Sequence, residues 1–440
     1  MSASPRCLRM VIAGLMLACS AAATANPAFP WESAEIHLGV ATCAGSTCHG
    51  ASRPLDETPV LQNEFTTWER QDAHSNAYKV LLTPASKRIV ANLGYSKPAH
   101  EAAECLTCHS DYVPVERRGR RFKLSDGVGC EACHGGGQNW LGPHVSGNTH
   151  AQNVADGLYP LPQPAARARL CLDCHMGSTR KPIDHRMMGA GHPPLSFELD
   201  TFTNIQPAHF RVDRDYVERK GATDGLRLWM IGQLVATEVF LDGLISERFI
   251  SHGLFPELVF FDCNACHHPM RPPRWQPGVS GNNPPGQVRL FNANLAMSAH
   301  VVSVIAPDRL DNWRRGVTQL HAASAVSVAE IKKAATALRG TLPALIAQTE
   351  SASLSATTAR SILQAMTEAG LQRDSGDYTA AQQIAMGMEG LNVYLATGDV
   401  ARSKALRPAL DKVFSAVETP TRYDAEAFRA GLAQARDALR

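Results

Sequence analysis

The chain has 440 residues and a net charge of +2, from 43 Lys and Arg against 41 Asp and Glu. So even a balance argues against nucleic acid and against a strongly charged partner face. Length alone allows two or three domains; the placing of 12 cysteines and 17 histidines divides the chain more usefully.

Residues 1–25 read as a secretory signal. Arg6 and Arg9 give the basic start, Met10 to Leu17 the apolar run, and Ala23-Thr24-Ala25 an A-x-A cleavage site. Cys19 invites a lipid anchor, but the residues before it match a lipobox poorly. No later segment reads as a transmembrane helix. The expected location is the periplasm.

From about 26 to 270 every mature cysteine belongs to a motif. C-x-x-C-H occurs at Cys105–Cys108–His109, Cys130–Cys133–His134, Cys171–Cys174–His175 and Cys263–Cys266–His267. A widened copy, Cys43-Ala-Gly-Ser-Thr-Cys48-His49, comes first. C-x-x-C-H attaches c-type haem through two thioethers, with the adjacent histidine as proximal iron ligand. Zinc ribbons also use C-x-x-C pairs, but they need no histidine directly after every second cysteine. No cysteine is left for a disulfide. The count is five covalently bound haem c, or four if the Cys43/Cys48 motif is unfilled.

His109 and His134 are 25 residues apart, and His134 and His175 are 41 apart, tethers short enough to force neighbouring haems together. Gly and Pro cluster around the motifs and few runs show regular periodicity, so porphyrins would supply much of the apolar volume. Second axial ligands are sought among His37, His74, His100, His144, His150, His185, His192, His209, His252 and His268. His74, His144, His185 and His192 are favoured; His209 and His252 come next. His268 directly follows a proximal histidine and points elsewhere. Met176, Met187, Met188 and Met270 are better read as packing residues.

Several stretches resemble the multihaem cytochrome c-554 family, related to the pentahaem nitrite reductase and hydroxylamine oxidoreductase group. They are Trp68…Asp72-Ala-His74-Ser…Ala77-Tyr78, Gly127-Val-Gly-Cys-Glu-Ala-Cys-His-Gly-Gly136 followed by His144, and Cys171-Leu-Asp-Cys-His175. Gly191-His192-Pro193 and Cys263…His267-His268-Pro-Met resemble larger exported relatives. The resemblance spans about 40–275 and implies mostly helical structure, stacked haem pairs and bis-histidine ligation. The widened first motif and the fifth motif depart from the tetrahaem pattern.

Residues 223–250 predict an amphipathic helix, with Leu226, Met230, Leu234 and Leu241 at helical spacing. A Pro/Gly-rich linker follows at 271–287. Residues 288–440 are rich in Ala, Leu and charge. Ser327-Val-Ala-Glu330 reads as a capping box, Gly370 and Gly376 as turns, and Asp377–Thr397 and Asp424–Arg440 as helices. The expectation is a bundle of four to six helices, with His300 on the first of them able to reach back to an iron.

The expected fold class is mainly α: a multihaem cytochrome c domain with little regular β structure, then a C-terminal helical bundle. The leading function is electron transfer between redox protein partners. The alternative is an oxidoreductase acting on nitrite, hydroxylamine or a sulfur oxyanion at an iron with an open position. The absence of C-x-x-C-K argues against a pentahaem nitrite reductase. The C-terminal helices could serve homo-oligomer or partner contacts, and membrane contact is open.

Overall fold

The computed structural model describes residues 26–56, 60–221, 224–250, 256–267, 289–372 and 377–440. Segment 1–25, the linker 271–287, His252, His268, Met270 and Gly376 lie outside the described residues. The chain is mainly helical. Among the described residues the β pairing is two isolated bridges, His37 with Arg118 and Phe261 with Leu290.

The N-terminal half, 26–221, which carries four of the five motifs, is made of short pieces. Its longer helices are α1 (Pro84–Leu93) and α2 (Pro164–His175). Both start on proline, which has no amide hydrogen to leave unbonded. α1 stops at Gly94, whose φ of 72° suits a residue without Cβ. Short helices α3 (His185–Gly189) and α4 (Leu199–Ile205) follow. The segment around His74 is a 3-10 turn, Ala73–Asn76, running into one helical turn, Ala77–Val80, rather than one continuous helix.

Apolar packing here is sparse. Three separate clusters centre on Phe29 and Tyr159, on Leu81 and Leu106, and on Leu93 and Met187. Polar ties hold the pieces together instead. Glu131, between the cysteines of the third motif, accepts from the amides of Leu38, Gly39 and Gly137, each at 2.7 Å. His37 is fully buried, with Nδ1 2.8 Å from Asp111 Oδ2 and Nε2 3.2 Å from the Pro30 carbonyl. Both partners accept, so the ring is a cation. Burial opposes that charge, but Asp111 and Glu131 outweigh it and raise the pKa.

The second half begins with α5 (Gly225–Ile245), capped by the Asp224 carboxylate accepting from Arg227 N. After it come α6 (Ala293–Ile305), α7 (Leu310–Ala323), α8 (Val328–Arg339), α9 (Leu342–Ser351), α10 (Ala356–Gln372), α11 (Tyr378–Leu395), α12 (Val400–Val417) and α13 (Ala425–Leu439). The described residues after 288 thus hold eight α-helices, not four to six. Short helices separated by tight breaks, as at Gly340-Thr341 between α8 and α9, fit more elements into the length. Ser327, Asp377 and Asp424 cap α8, α11 and α13 where the sequence places helix starts. Gly370 is no turn. It lies within α10, and a Cβ there would meet Leu432 Cδ1 at 2.5 Å, so it lets α13 approach.

α5 is not amphipathic. Leu226, Trp229, Met230, Ile231, Leu234, Val235, Leu241 and Leu244 are all buried, because the helix is packed on every side by α2, α4, α6, α8, α9 and α11. By length and apolarity it is long enough to cross a membrane, against the sequence expectation, but 83% of that stretch is buried inside the protein. Its core also takes in Ala165, Ala168, Leu172, Phe197 and Leu199 from the N-terminal half. At this junction Asp200 is 3% exposed, and a Cβ on Gly390 of α11 would lie 2.5 Å from its Oδ2. Burial, then the Glu198 charge, pushes the Asp200 carboxyl up to about 7.

Candidate metal centres

One helical turn places residues i, i+3 and i+4 on a common face. Four motifs use this directly: they lie on Ala103–His109, Cys130–His134, the end of α2, and Cys263–Cys266 with His267 next. The widened motif reaches a similar end by folding back. Cys48 N donates to the Gly45 carbonyl and His49 N to the Cys43 carbonyl. Gly50 closes this loop so tightly that a Cβ would lie 2.0 Å from the Ala44 oxygen.

Each motif histidine faces a second histidine from elsewhere in the chain. Ring centres are 6.2 Å apart for His49 and His144, 6.5 Å for His109 and His192, and 6.3 Å for His134 and His209. They are 5.9 Å apart for His175 and His74, and 6.1 Å for His267 and His185. These gaps are too wide for a direct hydrogen bond between the rings. They fit one metal ion between two imidazoles: two bonds of about 2 Å, plus about 1 Å from each nitrogen to its ring centre, give about 6 Å.

Zinc fits the motifs poorly. Among the described residues, the one cluster with ligand atoms within 4.8 Å of one another is His37, Asp111 and Glu131. No motif draws its two thiols and a histidine that close. The His37 cluster is itself a satisfied hydrogen-bond set, with both ring nitrogens engaged.

In six of the ten paired histidines an acceptor holds the outer ring nitrogen, which directs the other nitrogen into the gap. His74 Nδ1 donates to Asp72 Oδ1 at 2.8 Å, and Gln206 donates to the other Asp72 oxygen at 2.9 Å. His49 Nδ1 lies 2.9 Å from Glu64, His109 Nδ1 3.0 Å from the Ala77 carbonyl and His192 Nδ1 2.8 Å from the Pro193 carbonyl. His144 Nδ1 donates to the Leu141 carbonyl, and His209 bonds the Pro207 carbonyl. Burial holds His134 neutral, with its pKa lowered to about 3, and burial with the His74 charge lowers His175 to about 4. Neutral imidazole is the ligand form. Phe197 stacks on His175 at 4.4 Å between centres.

Residues 42–135, which hold the first three motifs, match the family model described as cytochrome c554 and c-prime. The match supports a c-type cytochrome. It implies covalently bound haem c in electron transfer or other redox chemistry. No curated protein and no solved structure matches the chain.

The cytochrome's four favoured distal residues, His74, His144, His185 and His192, each face a motif histidine. His209, ranked below them in the sequence, faces His134 and fills the fifth place. Its Pro207-Ala208-His209 setting carries no motif, so only its place among the surplus histidines marked it. His100 instead lies against Tyr78 and beside Glu101, and His150 opens a short helix. His300 is buried in the helical half and faces no motif histidine among the described residues; Met187 packs with Leu93 and Ile183.

The motifs also adjoin one another out of sequence order. The Cys43 and Cys130 thiols interact with one another, as do those of Cys108 and Cys174. The Gln206–Asp72–His74 chain ties the His209 segment to the fourth site. His185 and His192, only seven residues apart, face the histidines of the fifth and second motifs.

Proposed function

We propose that the protein is a periplasmic multihaem c-type cytochrome that carries electrons between respiratory redox partners through five bis-histidine haem sites. The observation that carries this reading is the second imidazole opposite every motif histidine. Cys43/Cys48, Cys105/Cys108, Cys130/Cys133, Cys171/Cys174 and Cys263/Cys266 would hold the five porphyrins. Haem c supplies a one-electron ferric–ferrous couple when bound.

The chain's own part would be to supply both imidazoles of each iron and set its surroundings. Two imidazoles per site would leave no position for nitrite, hydroxylamine or a sulfur oxyanion, so the oxidoreductase alternative finds no support in these pairs. The adjacencies order the sites as first, third, fourth, second, fifth. Exposure agrees with the two ends: Cys48, Cys263 and Cys266 are exposed, while the other motif cysteines are half-buried. Partners would then exchange electrons at the first and fifth sites. The signal segment supports export.

Intact mass and low-temperature EPR on the purified protein test this together. Five haems, all low-spin, are expected. A high-spin haem that binds nitrite or hydroxylamine would move the assignment to the oxidoreductase.

A further inference from the structure

The fifth site is built from both halves of the molecule. Its proximal side, Cys263 to His267, follows Phe260 and Phe261, which are buried in the core around α5. The Asp262 backbone amide donates to the Arg289 carbonyl at 2.8 Å and its carboxylate pairs with the Arg289 guanidinium at 2.8 Å, while Phe261 bridges to Leu290 at the start of the C-terminal helices. The opposite histidine, His185, belongs to the cytochrome half. Its backbone amide donates to Glu257 Oε1 at 2.9 Å, a second link across the same boundary.

His185 stands at one end of a short strap, Asp184 to His192, and His192 stands at the other. The strap is braced against α1. Arg186 donates to the Leu93 carbonyl at 2.7 Å, Asn92 donates to the Ala190 carbonyl at 3.0 Å, and Met187 and Ala190 pack on Leu93. Asp184 caps α3 by accepting from Met187 N at 2.7 Å. Gly191, at φ 115°, makes the turn that sends His192 toward His109. A braced segment this short does not let its two ends move independently.

We infer that the strap Asp184–His192 is a shared ligand carrier that couples the fifth haem site to the second, so that the helical half, which holds the fifth motif, acts on the cytochrome half through it. The inference rests on the five-site reading above. Displacing His267 from His185 would shift α3, and through Gly191 the imidazole opposite His109. A partner that binds the helical half near the fifth motif would therefore tune the second site without touching it.

The test uses the full-length holoprotein with His185→Ala, His192→Ala and the pair Cys263→Ser/Cys266→Ser. His185→Ala should keep five haems by mass, turn one high-spin and shift the low-spin EPR signal of the second site. His192→Ala should do the converse. The double serine variant should lose one haem, shift the second-site signal, and raise tryptic cleavage after Arg186 several-fold as the strap loosens. If His185→Ala leaves every haem low-spin, His185 is not the fifth site's ligand. If the second-site signal and Arg186 cleavage are unmoved in the double serine variant, the coupling is wrong even though the ligand assignment stands. A wild-type mass below five haems would instead overturn the five-site reading itself.

Discussion

The two halves solve the problem of a stable interior in opposite ways. The helical half buries one continuous core in which α5 is covered on every side and residues such as Trp229, Leu234 and Phe428 are fully enclosed. The cytochrome half has three small clusters, short helices and a framework of buried polar ties such as Glu131 and His37–Asp111. It also carries eight of the ten motif thiols and nine of the ten paired histidines, whose ring centres stand about 6 Å apart. One half carries its apolar volume in its sequence. The other, on the proposed reading, would take it from haem.

The largest effect should come from withholding haem. Expressed in a host that does not attach haem c, the chain should keep the circular dichroism of the helical half and lose protection in 26–221. Hydrogen exchange read by mass spectrometry checks this. Uniform protection of both halves would break the comparison.

Acid should act next, and on the helical half. His300 and His321 are buried and neutral, with pKa values lowered to about 4 by burial and by Arg314 and Arg289 respectively. The unfolded chain takes up their protons near 6.5, so stability is lost as pH falls from 6.5 toward 4 and changes no further below that. The combined loss should be several kcal/mol (roughly 1.4 per pKa unit for each histidine). Thermal melts of the helical signal at pH 7 and pH 4.5 measure it, and a flat profile would contradict the burial.

Phe428→Ala removes a fully enclosed ring and should cost about 3–5 kcal/mol in the helical melt. The low-spin haem spectrum should be unchanged at temperatures below that melt. A simultaneous change in both would show that the halves unfold as one.

Asp200→Asn sharpens the junction between them. The folded pKa of Asp200 is raised to about 7, so its contribution is present below about 4 and lost as pH rises through 7. The asparagine variant should be more stable than wild type at pH 8 by on the order of 2 kcal/mol and no more stable at pH 4. Equal stability at pH 8 would mean the carboxyl is not confined as described.

How much of this was legible depended on distance along the chain. The motifs were readable because cysteine, cysteine and histidine fall within one turn. Four distal histidines were reachable by their placing near motifs and a flexible glycine stretch, whereas His209 had no such mark and lies 75 residues from His134. Helix starts at Ser327, Asp377 and Asp424 were readable from capping chemistry. Gly370 misled because glycine breaks helices in isolation but also permits close helix packing, and only Leu432 reveals which applies. α5 misled in a similar way: spaced leucines suggested one apolar face, and the covering residues lie as far along the chain as Gly387, which packs on Trp229.

The sequence by itself therefore determined the covalent chemistry, the mainly helical class and the supply of imidazoles, since each follows from residues a turn or less apart. The tertiary structure alone decided which imidazole faces which motif histidine, which motifs adjoin one another, and that the pair His185–His267 joins the two halves. Coordination and core packing join groups through space, and the physics of a contact carries no memory of the number of residues between its partners.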